Sequence, residues 1–168
     1  MTDSKNPEAL LWEELDKSHV VMLGVKDAGS HMQPMSPFVE PDSKTVWFYS
    51  SKQTDTVKAA QGGAVPAQLC LVGEDDGFYA CVNGTISVNT DPQKVEKFWS
   101  TVVAAWFEKG KEDPDLAMLS FKPNDAAIWS STDSAMRFGW EIAKANLTGG
   151  KPEVGHHTVI RIGGGLAA

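Results

Sequence analysis

The 168-residue chain is 42% hydrophobic, carries a formal net charge of −7 and has a sequence pI of about 5.0. That length and apolar content suit one domain with a full core, while the negative charge would repel a nucleic-acid duplex or an anionic membrane surface, so neither is expected as a partner. No apolar run approaches a membrane span and the opening "MTDSKNPEAL" is polar, so a cytoplasmic location is expected and the Asn-x-Thr sequons at Asn83 and Asn146 read as chance matches.

In chain order, "NPEALLWEELDKS" predicts a helix capped by Asn6, with Pro7 in its first turn and Leu10, Leu11 and Leu15 on a stripe that should lie on a sheet. "HVVMLGVKD" and "HMQPMSPFV" read as strands flanking the hairpin signal "AGS", and "EPDSK" turns the chain into a third strand, "TVWFYS". A short helix is expected from about Thr54 to Gln61. Strand, acidic turn over Glu74 to Gly77 and strand follow, and pairing across that turn places Cys70 opposite Cys81. Two cysteines are too few for a disulfide framework and match no zinc or thioredoxin spacing; they read as two small buried hydrophobes or as a redox pair. The second strand, "FYACVNGTISVN", runs long, with Gly84 as a bulge or bend.

The strongest helical pattern is "TDPQKVEKFWSTVVAAWFEKG", started by Asp91 and Pro92, ended by Gly110, and carrying Val95, Phe98, Trp99, Val102 and Trp106 at helical spacing. It is expected to pack across a wide apolar surface. Two strands, "LAMLSFK" and "DAAIWSS", should be joined by a turn at Pro123 and Asn124. A third long helix from about Ser134 to Leu147 would place Met136, Trp140, Ala143 and Leu147 along one side, before a last strand, "HTVIRI", and the tail "GGGLAA". Strands in hairpin order, interrupted rather than alternated by helices, predict one mainly β domain with peripheral helices, its antiparallel sheet closed into a barrel.

Several familiar site signatures are absent: there is no GxSxG elbow, P-loop, HExxH or glycine fingerprint between strand and helix. His156 and His157 are adjacent, so on a strand they point to opposite faces, and no metal site is expected. Glu74, Asp75 and Asp76 read as a solvated turn. The segment "SSKQTDTVK" is more informative, because a helix N-terminus carries unpaired N–H groups and a fractional positive charge. Asp55 suits that end, whereas Lys52 and Lys58 oppose it. A phosphate accepting from Ser50, Ser51, Thr54, Thr56 and backbone amides would resolve the conflict; two solvated lysines are the alternative.

Taken together, "HMQPMSPF", "VWFYSSKQTDTVKAA", "ACVNGTISVNTD" and "FWSTVVAAWFEKGKEDPDLAMLSFKPNDAAIW" resemble the general stress protein branch of the pyridoxamine 5'-phosphate oxidase-like, flavin-binding split-barrel family, over about residues 6 to 162. The resemblance implies a six-stranded antiparallel Greek-key split β-barrel, a homodimer, and FMN, or FAD, in a groove between subunits. It puts the flavin ring against Met32, Gln33, Pro34 and Met35, lets Ser50 and Ser51 close over ring and ribityl chain, and gives the phosphate to Thr56 and Lys58. Trp106 and Trp129 resemble aromatics near the groove, contributed by the other subunit. Met32, Met35 and Trp106 also read as plain core.

Two departures qualify the resemblance. Many relatives carry Arg where this chain has Gln33, and the ending "VIRIGGGLAA" lacks the arginine-rich segment of true pyridoxamine phosphate oxidases, so vitamin B6 oxidation is not expected. The implied function is a stress-related, FMN-dependent oxidoreductase in which the flavin transfers electrons or hydride. Alternatives are a protein that holds flavin or haem without turnover, and a dimer whose empty groove serves protein interaction. No catalytic side chain is assigned; His31 is the best titratable candidate, or else an exposed strand-end residue. Six tryptophans and seven phenylalanines are hard to bury in one small barrel and point to a subunit interface.

Overall fold

The computed structural model describes residues 6–74, 77–131, 135–151, 155–162 and 165–166, and the side chains of 135–141 and 165–166 lie outside that description. Asn6 caps the first helix, α1 (Pro7–Lys17), by accepting from the Glu8 amide at 3.0 Å, and Leu11 and Leu15 bury its inner stripe. Three short strands follow, β1 (Val21–Val25), β2 (Gln33–Met35) and β3 (Phe38–Glu40), then a single-turn 3-10 helix and β4 (Thr45–Ser51). Thr54 caps α2 (Asp55–Ala60), which leads into the hairpin of β5 (Val65–Val72) and β6 (Phe78–Asn89). Two small helices, α3 (Pro92–Phe98) and α4 (Thr101–Ala104), precede β7 (Leu116–Ser131), α5 (Ala135–Thr148), β8 (Gly155–Arg161) and β9 (Gly165–Leu166).

All described pairings are antiparallel, in the order β2-β1-β5-β6-β7-β4-β3. One edge of β7 is shared, its first half pairing with β4 and its second half with β8. The terminal strands of that path, β2 and β3, are separated in sequence only by Ser36 and Pro37. Three Cα steps span at most about 11 Å. The two ends of the sheet must therefore approach one another, and the sheet curls around its inner face. Val21, Leu23, Val46, Phe48, Leu69, Leu71, Val82, Ile86, Leu119 and Phe121 fill the inside, with Val57 and Ala60 of α2 added from one end.

A polar staple fastens α3 to the outside of β3 and β4. Glu40 accepts from Lys97, from Ser43 Oγ at 2.6 Å, from Lys94 at 2.9 Å and from Trp47 Nε1 at 3.2 Å. These bonds, Lys97 first, hold its carboxyl down to about 2, against an ordinary value of 4.5. A folded-state pKa below the unfolded one contributes stability that is fully present above the unfolded value and is lost as pH falls through the folded value. Glu40→Gln is therefore expected to flatten the acid limb of the stability–pH profile between about pH 5 and pH 2, as read by urea midpoints across that range.

Four expectations are corrected. The strand expected over "HMQPMSPFV" divides into β2 and β3, which pair with different neighbours. The long helix after Asp91 breaks at Trp99 and Ser100: Trp99 takes extended backbone (φ −64°, ψ 131°) to set its ring against Tyr49 and Phe107, and Ser100 Oγ starts α4 afresh by accepting from Val103 N. Val102 and Trp106 are consequently 73% and 82% exposed, so no wide apolar surface receives them and Trp106 is not core. The two strands expected around Pro123 are one, β7, because Pro123 falls opposite Gly84 where the β6–β7 register shifts, a bulge that tolerates its missing N–H. Among the expectations at the third long helix, Leu147 is 88% exposed, and Ser134 and the side chains of Met136 and Trp140 lie outside the described residues. Asp75, Asp76 and the final residues of the tail also lie outside them.

Candidate functional site

At the β4–α2 junction the expected knot of hydroxyls is present and bonded. Ser50 Oγ and Thr54 Oγ1 are 3.1 Å apart, Thr54 Oγ1 donates to the Ser51 carbonyl at 2.9 Å, and Ser51 Oγ accepts from the Gln53 amide at 3.0 Å. Thr54 Oγ1 also accepts from Val57 N, which leaves Asp55 and Thr56, the first two helical residues, with amides that precede the helix's internal bonding. Thr56 is buried, and its hydroxyl has no hydrogen-bond partner among the described residues. A buried hydroxyl without a partner costs free energy, so this atom is the junction's clearest available donor.

The two lysines stand differently from the sequence expectation. Lys52 Nζ donates to the Pro114 carbonyl at 2.6 Å, and its backbone N–H bonds Asp115, so it is drawn toward the loop before β7. That loop is held by Asp113, which accepts from the amides of Asp115 at 2.9 Å and Lys109 at 3.2 Å, bonds that keep its carboxyl below the usual range. Lys58 is the fourth residue of a six-residue helix and lies in its last turn, where a cation is favoured. The conflict expected between Lys58 and the helix dipole is thereby corrected.

The Met32–Met35 segment divides by alternation. Gln33 and Met35 pair with Leu23 and Val21 of β1, and Met35 packs against the core. Pro34 pairs with outward-facing Met22 and is exposed. Met32 lies over Gly24, where a Cβ would stand 2.8 Å from Met32 Cγ. Next to Gly24 the sheet's outer face carries a polar row: Gln68 Nε2 donates to Asn83 Oδ1 at 3.1 Å, and Asn83 Nδ2 to Asp125 Oδ1 at 2.8 Å. Sequence reasoning missed this row; its only signal was one polar residue at an outward position in each of three strands.

Beyond it the outer face is apolar. Ladder partners make one line of Met22, Cys70, Cys81, Ala127 and Val159, and another of Val72, Tyr79, Trp129 and His157. Val72 is 64% exposed, and Tyr79, Trp129, Met22 and Val159 are each about two-fifths to one-half exposed. Trp129 stacks on His157 with ring centroids 4.9 Å apart. Within one chain, then, Ser50, Ser51 and Thr56 gather at one junction and Met32 and Pro34 border the outer face that holds Trp129, while Trp106 projects from beyond α4. A cavity of about 260 Å³ lies beside the junction, between Lys52, Val57, Asn89, Val95 and Met118, but none of the ten expected cofactor residues lines it. Among the described residues no group of three metal-ligating side chains occurs and no helix is long and apolar enough to cross a membrane.

The sequence profile of the family described as "Pyridoxamine 5'-phosphate oxidase like" matches residues 6–153. The chain belongs to that family. It is 30% identical to general stress protein 26 of Bacillus subtilis (strain 168) over 94 residues, which cover 54% of this chain and 65% of that protein, so the match spans a little less than two thirds of the relative. A crystal structure described as general stress protein 26 from Jannaschia sp. CCS1 superposes with a TM-score of 0.77 at 36% identity, covering 89% of this chain and 94% of the other. The general stress FMN/FAD binding protein from Xanthomonas citri gives 0.69 at 32% identity, covering 76% and 90%.

Proposed function

We propose that this chain is a cytoplasmic, stress-related flavoprotein of the pyridoxamine 5'-phosphate oxidase-like family. It binds FMN, or FAD, as a homodimer, and the curled sheet is that family's six-stranded Greek-key split barrel. The observation that carries the reading is the hydroxyl of buried Thr56 at the β4–α2 junction, which has no partner among the described residues and which an acceptor such as a phosphate oxygen would satisfy. The residues there fit such a group: Thr56, the free proton of Ser51, the first amides of α2 and Lys58 would hold the phosphate, while Ser50 and the Met32–Met35 segment border ribityl chain and ring. When bound, the flavin supplies electron or hydride transfer; this chain's residues orient it and exclude water. Gln33 brings a neutral amide where Arg would bring a charge, so affinity is expected to be lower than in Arg-bearing relatives.

A second copy supplies what one chain lacks. The apolar outer face around Tyr79 and Trp129 and the projecting Trp106 are surfaces of the kind that association buries, and both tryptophans would reach the partner's groove. Titrating the purified protein with FMN, sedimenting it, and adding NADH or NADPH without oxygen tests the whole reading. Saturable binding, a dimer that Trp129→Lys dissociates, and bleaching of the flavin by a reduced nicotinamide are expected. Flavin that binds but is never reduced selects a carrier, a Soret band selects haem, and a colourless monomer indifferent to FMN overturns the proposal.

A further inference from the structure

Cys70 of β5 and Cys81 of β6 are direct partners in the antiparallel ladder, and their sulphurs stand 3.8 Å apart as free thiols. Both are half-buried on the outer face, Cys70 next to Met22 and Cys81 next to Ala127, so their immediate ladder neighbours are apolar. Opposed residues of an antiparallel pair hold their Cβ atoms about 4.5–5.5 Å apart, and a disulfide spans about 3.5–4.5 Å. Closing the bond therefore asks for a small approach of two strands, and the pair lies two ladder steps from the last one, Val72–Tyr79, close to the turn of the hairpin.

We propose that Cys70 and Cys81 form a reversible two-electron redox site, closing to an intramolecular disulfide when the chain meets a hydroperoxide. One sulphur, as thiolate, attacks a peroxide oxygen; the O–O bond breaks, giving a sulfenic acid and, from hydrogen peroxide, one water. The second sulphur attacks the first, the S–S bond forms, and the S–O bond breaks to release a second water. Two thiols are oxidised by two electrons and one peroxide is reduced to two waters. A dithiol reverses the step by attacking one sulphur and then closing its own disulfide. Burial, and then the adjacent Cys81, push the Cys70 thiol up to about 11, so little of Cys70 is thiolate at neutral pH and its attack on peroxide is slow there, quickening as pH rises.

This inference does not rest on flavin binding, but a second copy seated on the outer face would cover the pair, so the experiment follows protein dilution. The full chain is reduced, freed of reductant, exposed to hydrogen peroxide at several dilutions, then cleaved after Glu74, which lies between the two cysteines. The expected product is a pair of peptides joined until dithiothreitol is added, with both titratable thiols lost, and lost faster on dilution if a dimer shields them. Cys70→Ser and Cys81→Ser should abolish the link and leave the remaining cysteine as a sulfenic acid that dimedone traps. Two free thiols at every dilution, independent oxidation of each sulphur in the native chain, or links between chains only would overturn the proposal.

Discussion

Gly84→Ala is expected to cost about 2–4 kcal/mol of folding stability and to lower the urea midpoint by about 1–2 M. A Cβ at Gly84 would lie 2.3 Å from the Lys122 carbonyl oxygen, 2.8 Å from Phe121 Cζ and 2.9 Å from the Lys122 carbonyl carbon. Two of these atoms are backbone, and the third belongs to a ring buried in the core, so no flexible side chain can swing aside. Lys122 sits between the stretch of β7 held by β4 and the stretch held by β8, which leaves its carbonyl little freedom to retreat. The strands must part where the register already shifts, loosening the Pro123 bulge. Gly62→Ala is the control: nothing lies within 4 Å of its Cβ position, and a change of at most about 0.5 kcal/mol is expected. Equal midpoints for the two variants would show that the β6–β7 crossing can open to admit the methyl and would overturn the prediction.

Where local chemistry decides, the sequence was readable. Asn6 caps the helix it was expected to cap, a short helix starts after Thr54 as expected, and Cys70 faces Cys81, because each depends on residues within one turn or hairpin. Where distant packing decides, it was not. Nothing near Trp99 announces that Tyr49 will draw its ring and end α3, and nothing near Pro123 announces that Gly84, on another strand, will make room for it. The site divides in the same way. The hydroxyl knot is local; the destination of Lys52 lies 62 residues away, and the sign of the dipole's effect on Lys58 turns on where a six-residue helix stops. The apolar outer face was hidden because each strand shows only one or two outward apolar residues, and sheet order alone lines them up.

Thr56→Val is expected to stabilise the flavin-free protein by about 1 kcal/mol while weakening FMN binding about 10- to 100-fold. The two side chains share a shape, so the substitution removes a hydroxyl and little else. In the free protein Thr56 is buried and its hydroxyl has no partner among the described residues, a condition that costs about 1–3 kcal/mol, and a methyl relieves it. With FMN bound, the same hydroxyl would donate to a charged phosphate oxygen, a bond worth about 1.5–3 kcal/mol, and valine forfeits it. Opposite signs in the two measurements distinguish a ligand-binding hydroxyl from a merely structural one, whose loss would lower stability and leave affinity alone. Lys58→Ala provides the contrast: its exposed ammonium acts through solvent, so its smaller effect on affinity should fade as salt is added, whereas that of Thr56→Val should persist. Thermal unfolding of the flavin-free variants and FMN titrations at low and high salt read all four quantities. A Thr56→Val protein that is less stable and binds FMN as before would remove the phosphate from this junction.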